Sequence, residues 1–284
     1  MNIGTPYGKV ILAGAGPGDP DLVTIKTANY LQQADVILTD RLVSRVILQR
    51  YARPSATIVE VGKQCRRGIS TPQQTINELL VEYASQGKLV VRLKGGDVSF
   101  FSNVLDELQV LTKHQIPYEI VPGITAASGA AAYAGIPLTA RNHATAVRFL
   151  TFYQSTVVSE GYWKELAATD DTLVFYMSSE TIDLLVEKLT AYGIAANKQL
   201  AVIEQATTTY QQVYVSGLYD YAEKYKGQTY LSPSLIIIGK VVNLQESYNW
   251  FRGSDLREYY FKPLTSTVKP IVQDESRKIY AGRA

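Results

Sequence analysis

The feature that most constrains this chain is the alternation of short apolar runs with helical patterns. Such alternation favours an α/β fold, with strands covered by the helices between them. The expected strands of a first set are Lys9–Ala13, Val36–Thr39, Thr57–Val61, Lys88–Leu93 and Tyr118–Val121. A second set comprises Val147–Phe152, Thr172–Met177, Leu200–Glu204, Gln212–Val215 and Leu235–Gly239. Between strands of the first set, Gln73–Gln86 reads as a helix, with Ile76, Leu79, Leu80 and Tyr83 on one face. Thr71 is its expected N-cap, Pro72 its first helical residue and Gly87 its stop. The stretch from Ala134 to Arg141 contains Gly135 and Pro137 and breaks any helix, so the domain boundary is expected there. The expected organisation is a domain over 1–135, a second over 136–251 and a polar extension over 252–284. A swapped dimer arm is the other reading of that extension.

A chain of 284 residues suits two domains or one large one. With 46% hydrophobic and 19% charged residues it is not a long disordered protein. The 28 basic and 26 acidic residues leave a net charge of +2, which gives no sign of a nucleic-acid partner. One cysteine cannot close an internal disulfide, and with two histidines a Cys/His zinc cage is not expected. No signal-peptide pattern is visible in Met1–Gly8, and no apolar run approaches the ~20 residues that span a bilayer. The expectation is a cytoplasmic protein without metal or membrane.

Glycine-rich loops follow the strands of the first set. Gly14-Ala15-Gly16-Pro17-Gly18-Asp19-Pro20 lies where a dinucleotide enzyme carries G-x-G-x-x-G. Its spacing is wrong, Asp19 stands near the place of a pyrophosphate, and two prolines remove backbone donors. No G-x-x-x-x-G-K-[ST] is present either. An ordinary strand-to-helix turn is the other reading. In Arg92-Leu93-Lys94-Gly95-Gly96-Asp97, paired glycines allow a ligand close to the backbone; alternatively Asp97 is a helix cap. Val121-Pro122-Gly123-Ile124-Thr125-Ala126 opens a small-residue helix, whose N-terminal amides are expected to stay available. Open α/β sheets bind ligands at such carboxyl ends.

Together with Asp40-Arg41-Leu42-Val43, Val61-Gly62-Lys63, Ala134-Gly135-Ile136-Pro137-Leu138-Thr139 and Tyr176-Met177, these loops resemble one family. The chain is similar to the uroporphyrinogen-III C-methyltransferases of the tetrapyrrole methylase superfamily, from about Lys9 to Phe251. The resemblance implies two unequal αβα domains with S-adenosylmethionine in the cleft between them. It implies methylation of uroporphyrinogen III at C-2 and C-7 to precorrin-2, a homodimer, and no metal. A single-function form is expected rather than a fused sirohaem synthase. The resemblance puts the methyl donor at Pro17, Gly95, Gly96, Asp97, Phe100, Thr125, Ala126, Met177 and Ala206. It makes Asp40 the proton acceptor and Lys63 the proton donor.

Loss of a proton relieves the positive charge that methyl transfer leaves on a pyrrole, and a carboxylate such as Asp40 suits that task. A polycarboxylate substrate calls for arginine forks and lysines. Arg41 and Arg141 are the leading candidates, with Lys63, Arg66, Arg67 and Lys94 beside them. Each of these also reads as an ordinary surface charge, and Asp40 as a turn residue. The chain departs from the family at Ser102-Asn103-Val104-Leu105, where Asn103 replaces a common arginine, and at Val98, which replaces a proline. One residue is inserted after Lys63, where Arg66 or Arg67 is a candidate to restore a missing positive charge. Cys65 reads as an incidental thiol. The competing readings are a methyltransferase for a later precorrin, one for protein or ribosomal RNA, a binding protein without turnover, and a nicotinamide dehydrogenase.

Overall fold

A computed structural model describes residues 7–64, 69–153 and 158–261, without the side chains of residues 63, 64, 69 and 70. These residues fall into two compact units, one ending at Thr125 and including Phe261, the other Ala126–Tyr260.

The first unit runs β1 (Lys9–Gly14), α1 (Ile25–Gln33), β2 (Val36–Thr39), α2 (Arg45–Tyr51) and β3 (Thr57–Glu60). The short pair β4 (Lys63–Gln64) and β5 (Ile69–Ser70) follows, then α3 (Gln73–Ser85), β6 (Leu89–Lys94), α4 (Val104–Lys113) and β7 (Tyr118–Val121). The main strands form a sheet of order β3-β2-β6-β1-β7 in which every pairing is parallel. Parallel strands are buried on both faces, which is why their sequences are near-continuous apolar runs. Val10, Leu12, Leu38 and Val90 pack on one face against Ile76 and Leu80 of α3 and Leu111 of α4. Ile11, Ile37, Val91 and Leu93 pack on the other against Leu31 of α1 and Ile47 and Leu48 of α2. Three layers, helix–sheet–helix, result.

One cap differs from expectation. Pro72 itself occupies the N-cap of α3, at φ −56° and ψ 144°, and makes no side-chain capping bond. Its extended ψ keeps it outside the helix, so Thr71 stands one residue too early to cap. Gly87 does follow the helix end, at φ +75°.

The second unit runs α5 (Ala126–Ala134), β8 (Val147–Thr151), α6 (Glu160–Ala168), β9 (Thr172–Tyr176) and α7 (Ile182–Ala191). It continues through β10 (Gln199–Glu204), β11 (Gln212–Gly217), α8 (Tyr221–Tyr225), β12 (Ser234–Gly239) and α9 (Gln245–Tyr248). Its sheet has the order β11-β10-β12-β9-β8. Only β8 and β9 pair in parallel; the other pairings are antiparallel. Trp163, Leu166, Leu185 and Leu189 of α6 and α7 cover one face. Ala127, Ala130 and Ala134 of α5 cover the other, where small side chains let the helix lie close to the strands. Thus α5, which precedes the break at Gly135, packs within this unit. Part of the polar stretch after Arg252 is held here too. Ser254 N–H donates to Thr209 O at 2.6 Å, and Gln205 bonds the backbone of Glu258 and Tyr260, each at 2.7 Å.

Candidate functional site

Because the first sheet is wholly parallel, the loops after β1, β2, β6 and β7 all leave from one edge. They are bound together by backbone. Gly16 and Gly96 exchange two N–H···O bonds of 3.1 and 2.8 Å, joining the first and second glycine loops. A Cβ on Gly14 would lie 2.6 Å from Gly96 O and 2.7 Å from the backbone of Gly123. One on Gly95 would lie 2.8 Å from Leu42 O. These glycines therefore serve first to let backbone meet backbone. Asp97 completes the junction: Oδ1 accepts from Ser99 N–H and Oδ2 from Gly123 N–H, both at 2.8 Å. Asp19 caps the short turn at Pro20–Leu22 by accepting from Asp21 N–H at 2.8 Å. Pro17 is buried in this edge, and the Phe100 ring remains 38% exposed beyond it.

Asp40 follows β2 on the same edge and is the outermost member of a chain of four charges. Its Oδ1 accepts from Arg92 NH2 at 2.5 Å. Arg92 Nε donates to Glu107 Oε1 at 2.9 Å, and Lys94 Nζ reaches Glu107 Oε1 and Oε2 at 3.0 and 2.9 Å. The remaining guanidinium nitrogen, NH1, bonds Leu38 O and Leu93 O at 3.3 Å. Arg92, Lys94 and Glu107 are buried, while the Asp40 side chain keeps 26% exposure. Burial opposes the Arg92 charge, but the carboxylates of Asp40 and Glu107 outweigh it and raise its pKa. Burial first, and then Arg92, push the Lys94 ammonium down against the pull of Glu107. Two short contacts to Glu107 still make it that residue's partner. Lys94 is consequently not a surface cation waiting for a substrate carboxylate, contrary to its sequence reading; strand β6 turns it into the core.

In the second unit, β9 and β10 both run antiparallel to β12, so their carboxyl ends emerge on a shared edge. Met177 follows β9 at φ +53° and is 52% exposed, with Tyr153 Oη donating to its Sδ at 3.3 Å. A left-handed conformation is uncommon outside glycine, asparagine and aspartate, and marks stored strain. Ala206 sits after β10 between Gln205 (φ +47°) and Thr207 (φ +68°), whose N–H is held by Gln211 Oε1 at 2.8 Å. The start of α5 does not keep all its amides available, since Ala127 N–H donates to Tyr176 Oη at 3.0 Å. The buried hydroxyl at the end of β9 reaches it first. Thr125 precedes α5 and Ala126 opens it. Arg141 is exposed in the turn closed by Ala140 and Ala144.

Thus the first unit gathers Pro17, Asp40, Arg41, Gly95, Gly96, Asp97 and Phe100 around one sheet edge. The second carries Met177 and Ala206 on one edge and Arg141 in a turn. Lys63 opens β4, but its side chain lies outside the described residues, as do Cys65, Arg66 and Arg67 entirely. Asn103 is the N-cap of α4 at φ +53°, a conformation asparagine tolerates well. Sequence reasoning missed Glu107 and gave Arg92 no role. Each carries a visible signal: an arginine inside an apolar strand run, and a glutamate on the helix face that Leu111 buries. Among the described residues no cluster of His, Cys, Asp and Glu is placed to hold a metal ion, and no helix is long and apolar enough to cross a membrane.

The model of the tetrapyrrole (corrin/porphyrin) methylases matches residues 9–222. A sirohaem synthase of Pseudomonas paraeruginosa is 47% identical over 247 residues, covering 87% of this chain and 53% of the relative. The chain therefore spans about half the length of the curated relatives it matches. The crystal structure of a uroporphyrin-III C-methyltransferase from Thermus thermophilus superposes with a TM-score of 0.69 at 32% identity. That match covers 85% of this chain and 96% of the other. The same Thermus protein complexed with S-adenosylhomocysteine gives a TM-score of 0.68, also at 32% identity, over 84% and 94% of the two chains.

Proposed function

The chain belongs to the tetrapyrrole methylases, and from that premise we propose that it methylates uroporphyrinogen III. In this reading C-2 and then C-7 receive methyl groups from S-adenosylmethionine, and the product is precorrin-2. Similarity to nearly the whole of the Thermus enzyme supports the substrate. The observation that carries the chemistry is Asp40, part-exposed at the loop-bearing edge of a parallel sheet with one oxygen anchored by a buried arginine.

When bound, S-adenosylmethionine supplies a methyl group on a sulfonium, ready for in-line displacement. Each unit by itself carries an exposed apolar group that suits such a ligand, the Phe100 ring in the first and the Met177 thioether in the second. Pro17, Gly95, Gly96, Asp97, Phe100, Thr125, Ala126, Met177 and Ala206 are proposed to hold it. Each Asp97 oxygen already accepts one bond that locks the loops and keeps a second lone pair for a ligand. Asp40 stabilises the positive charge on the methylated pyrrole and takes the proton whose loss relieves it, while Lys63 is the proton donor that the resemblance assigns. Arg41 and Arg141 hold substrate carboxylates. A homodimer in the cytoplasm completes the proposal.

Incubation with uroporphyrinogen III and isotopically labelled donor should give a dimethylated product identified by mass and absorption spectrum. Absence of that product, or methylation only of an already methylated precorrin, would overturn the reading. Asp40→Asn should lower kcat by on the order of 100-fold with little change in KM. Its affinity for S-adenosylhomocysteine should stay near normal. Loss of that affinity in a folded variant would place Asp40 in the donor site instead.

A further inference from the structure

We propose that Glu107 is a positioning residue that, through Arg92, sets the orientation and proton affinity of Asp40. The inference rests on the site reading above, and its first test is independent of the substrate.

Every nitrogen of the Arg92 guanidinium is committed. Nε is taken by Glu107, NH1 by the carbonyls of Leu38 and Leu93, and NH2 by Asp40. A planar group fixed at three corners cannot turn away from Asp40. Glu107 is fully buried and uses both oxygens on the two cations of β6. Nothing in packing requires a charge there, because an aliphatic cluster of the same volume is typically as stable. The charges instead alternate outward, Lys94, Glu107, Arg92, Asp40, and only the last meets solvent. The three inner groups together present one net positive charge to Asp40. They come from β6 and α4, the elements packed behind it, while Arg41 beside it in the chain stays charged throughout.

This arrangement makes a prediction of sign. Glu107→Gln leaves two positive charges behind Asp40 and should lower the pH at which its carboxyl titrates. Lys94→Met leaves none and should raise it. Each shift is expected to be on the order of one pH unit. The probe is the carboxyl carbon signal of Asp40 in 13C-aspartate-labelled full-length protein, assigned by its loss in Asp40→Asn. Opposite shifts support the proposal; no shift, or shifts in the same direction, overturn it. If Glu107→Gln does not fold, Lys94→Met decides alone, since methionine fills the space of the lysine stem. As a kinetic readout, Glu107→Gln should lower kcat severalfold while KM for uroporphyrinogen III stays within about twofold. An unchanged kcat beside a shifted titration would overturn the positioning role. A wild-type protein that does not methylate uroporphyrinogen III would instead refute the proposed function, and the titration would still test the network.

Discussion

Strands β6 and β12 occupy the same place in their sheets, third of five, and have the same burial along their length. Yet β6 reads Leu-Val-Val-Arg-Leu-Lys and β12 reads Ser-Leu-Ile-Ile-Ile-Gly. The second unit fills its centre with Leu235, Ile236, Ile237 and Ile238, which need only volume. The first unit buries Arg92 and Lys94 and must bring Glu107 and Asp40 to meet them. Desolvation of such charges about cancels their attraction, so they add little to stability. A sheet centre that spends burial on ions rather than aliphatics is arranged for its edge, where Asp40 stands.

The largest effect should come from making the first centre resemble the second. Arg92→Leu, Lys94→Met and Glu107→Leu together should keep the fold, with stability in urea equal or higher by up to about 4 kcal/mol. Methyl transfer should nevertheless fall by at least about tenfold as Asp40 loses its anchor. Undiminished activity would show that the ions serve only packing. The converse is Glu107→Ala, which strands Lys94 and leaves Arg92 with Asp40 as its one carboxylate, and should cost about 3–5 kcal/mol. A cut of Ile237→Val in the second centre should cost only about 0.5–1.5 kcal/mol.

A smaller effect probes the strained backbone at the edge of the second unit, beside Glu204, which is buried at the end of β10 and paired with Arg257. Met177→Gly accepts φ +53° freely and should gain about 1 kcal/mol or less of stability. The same change should weaken S-adenosylhomocysteine binding severalfold by calorimetry. Stability lost without any change in affinity would make Met177 an ordinary packing residue.

The smallest effect concerns surface charge, where the units are alike. Hydrogen bonds from Lys26, Lys9 and Tyr30 lower the Glu119 carboxyl from 4.5 to about 2. In the second unit, Arg148 holds the Asp171 carboxyl below its usual range. A depressed carboxyl contributes stability that is present above its unfolded value and lost as pH falls through its folded one. Melting temperature should therefore drop as pH falls from about 4.5 towards 2. Glu119→Gln should flatten that slope slightly. A large effect would mean that surface pairs, not the buried network, distinguish the units.

Much of this was legible in the chain itself. Buried parallel strands require apolar runs, and their turns require glycine and proline, so both sets of strands and the first unit's loops show in one dimension. The resemblance carried by those loops identified the family. Other features depend on residues far apart in sequence. Whether α5 joins the sheet before or after it depends on which surface accepts Ala127, Ala130 and Ala134. The amide of its second residue, Ala127, loses its freedom to a tyrosine 49 positions away.

Local pattern encodes burial and turns, so the sequence by itself determined the α/β class, the strand positions and the glycine loops, while the resemblance supplied Asp40, Gly95, Gly96 and Asp97 as candidates. Tertiary structure alone decided what those residues touch. A lysine after an apolar strand reads as a cation for the surface until α4 folds back and offers Glu107, 13 residues away. Gly95 reads only as room for a ligand until the backbone of Leu42 is seen 2.8 Å from where its Cβ would stand. Whether a buried charge is satisfied is a property of three-dimensional neighbours, since only a partner within about 3 Å repays its desolvation.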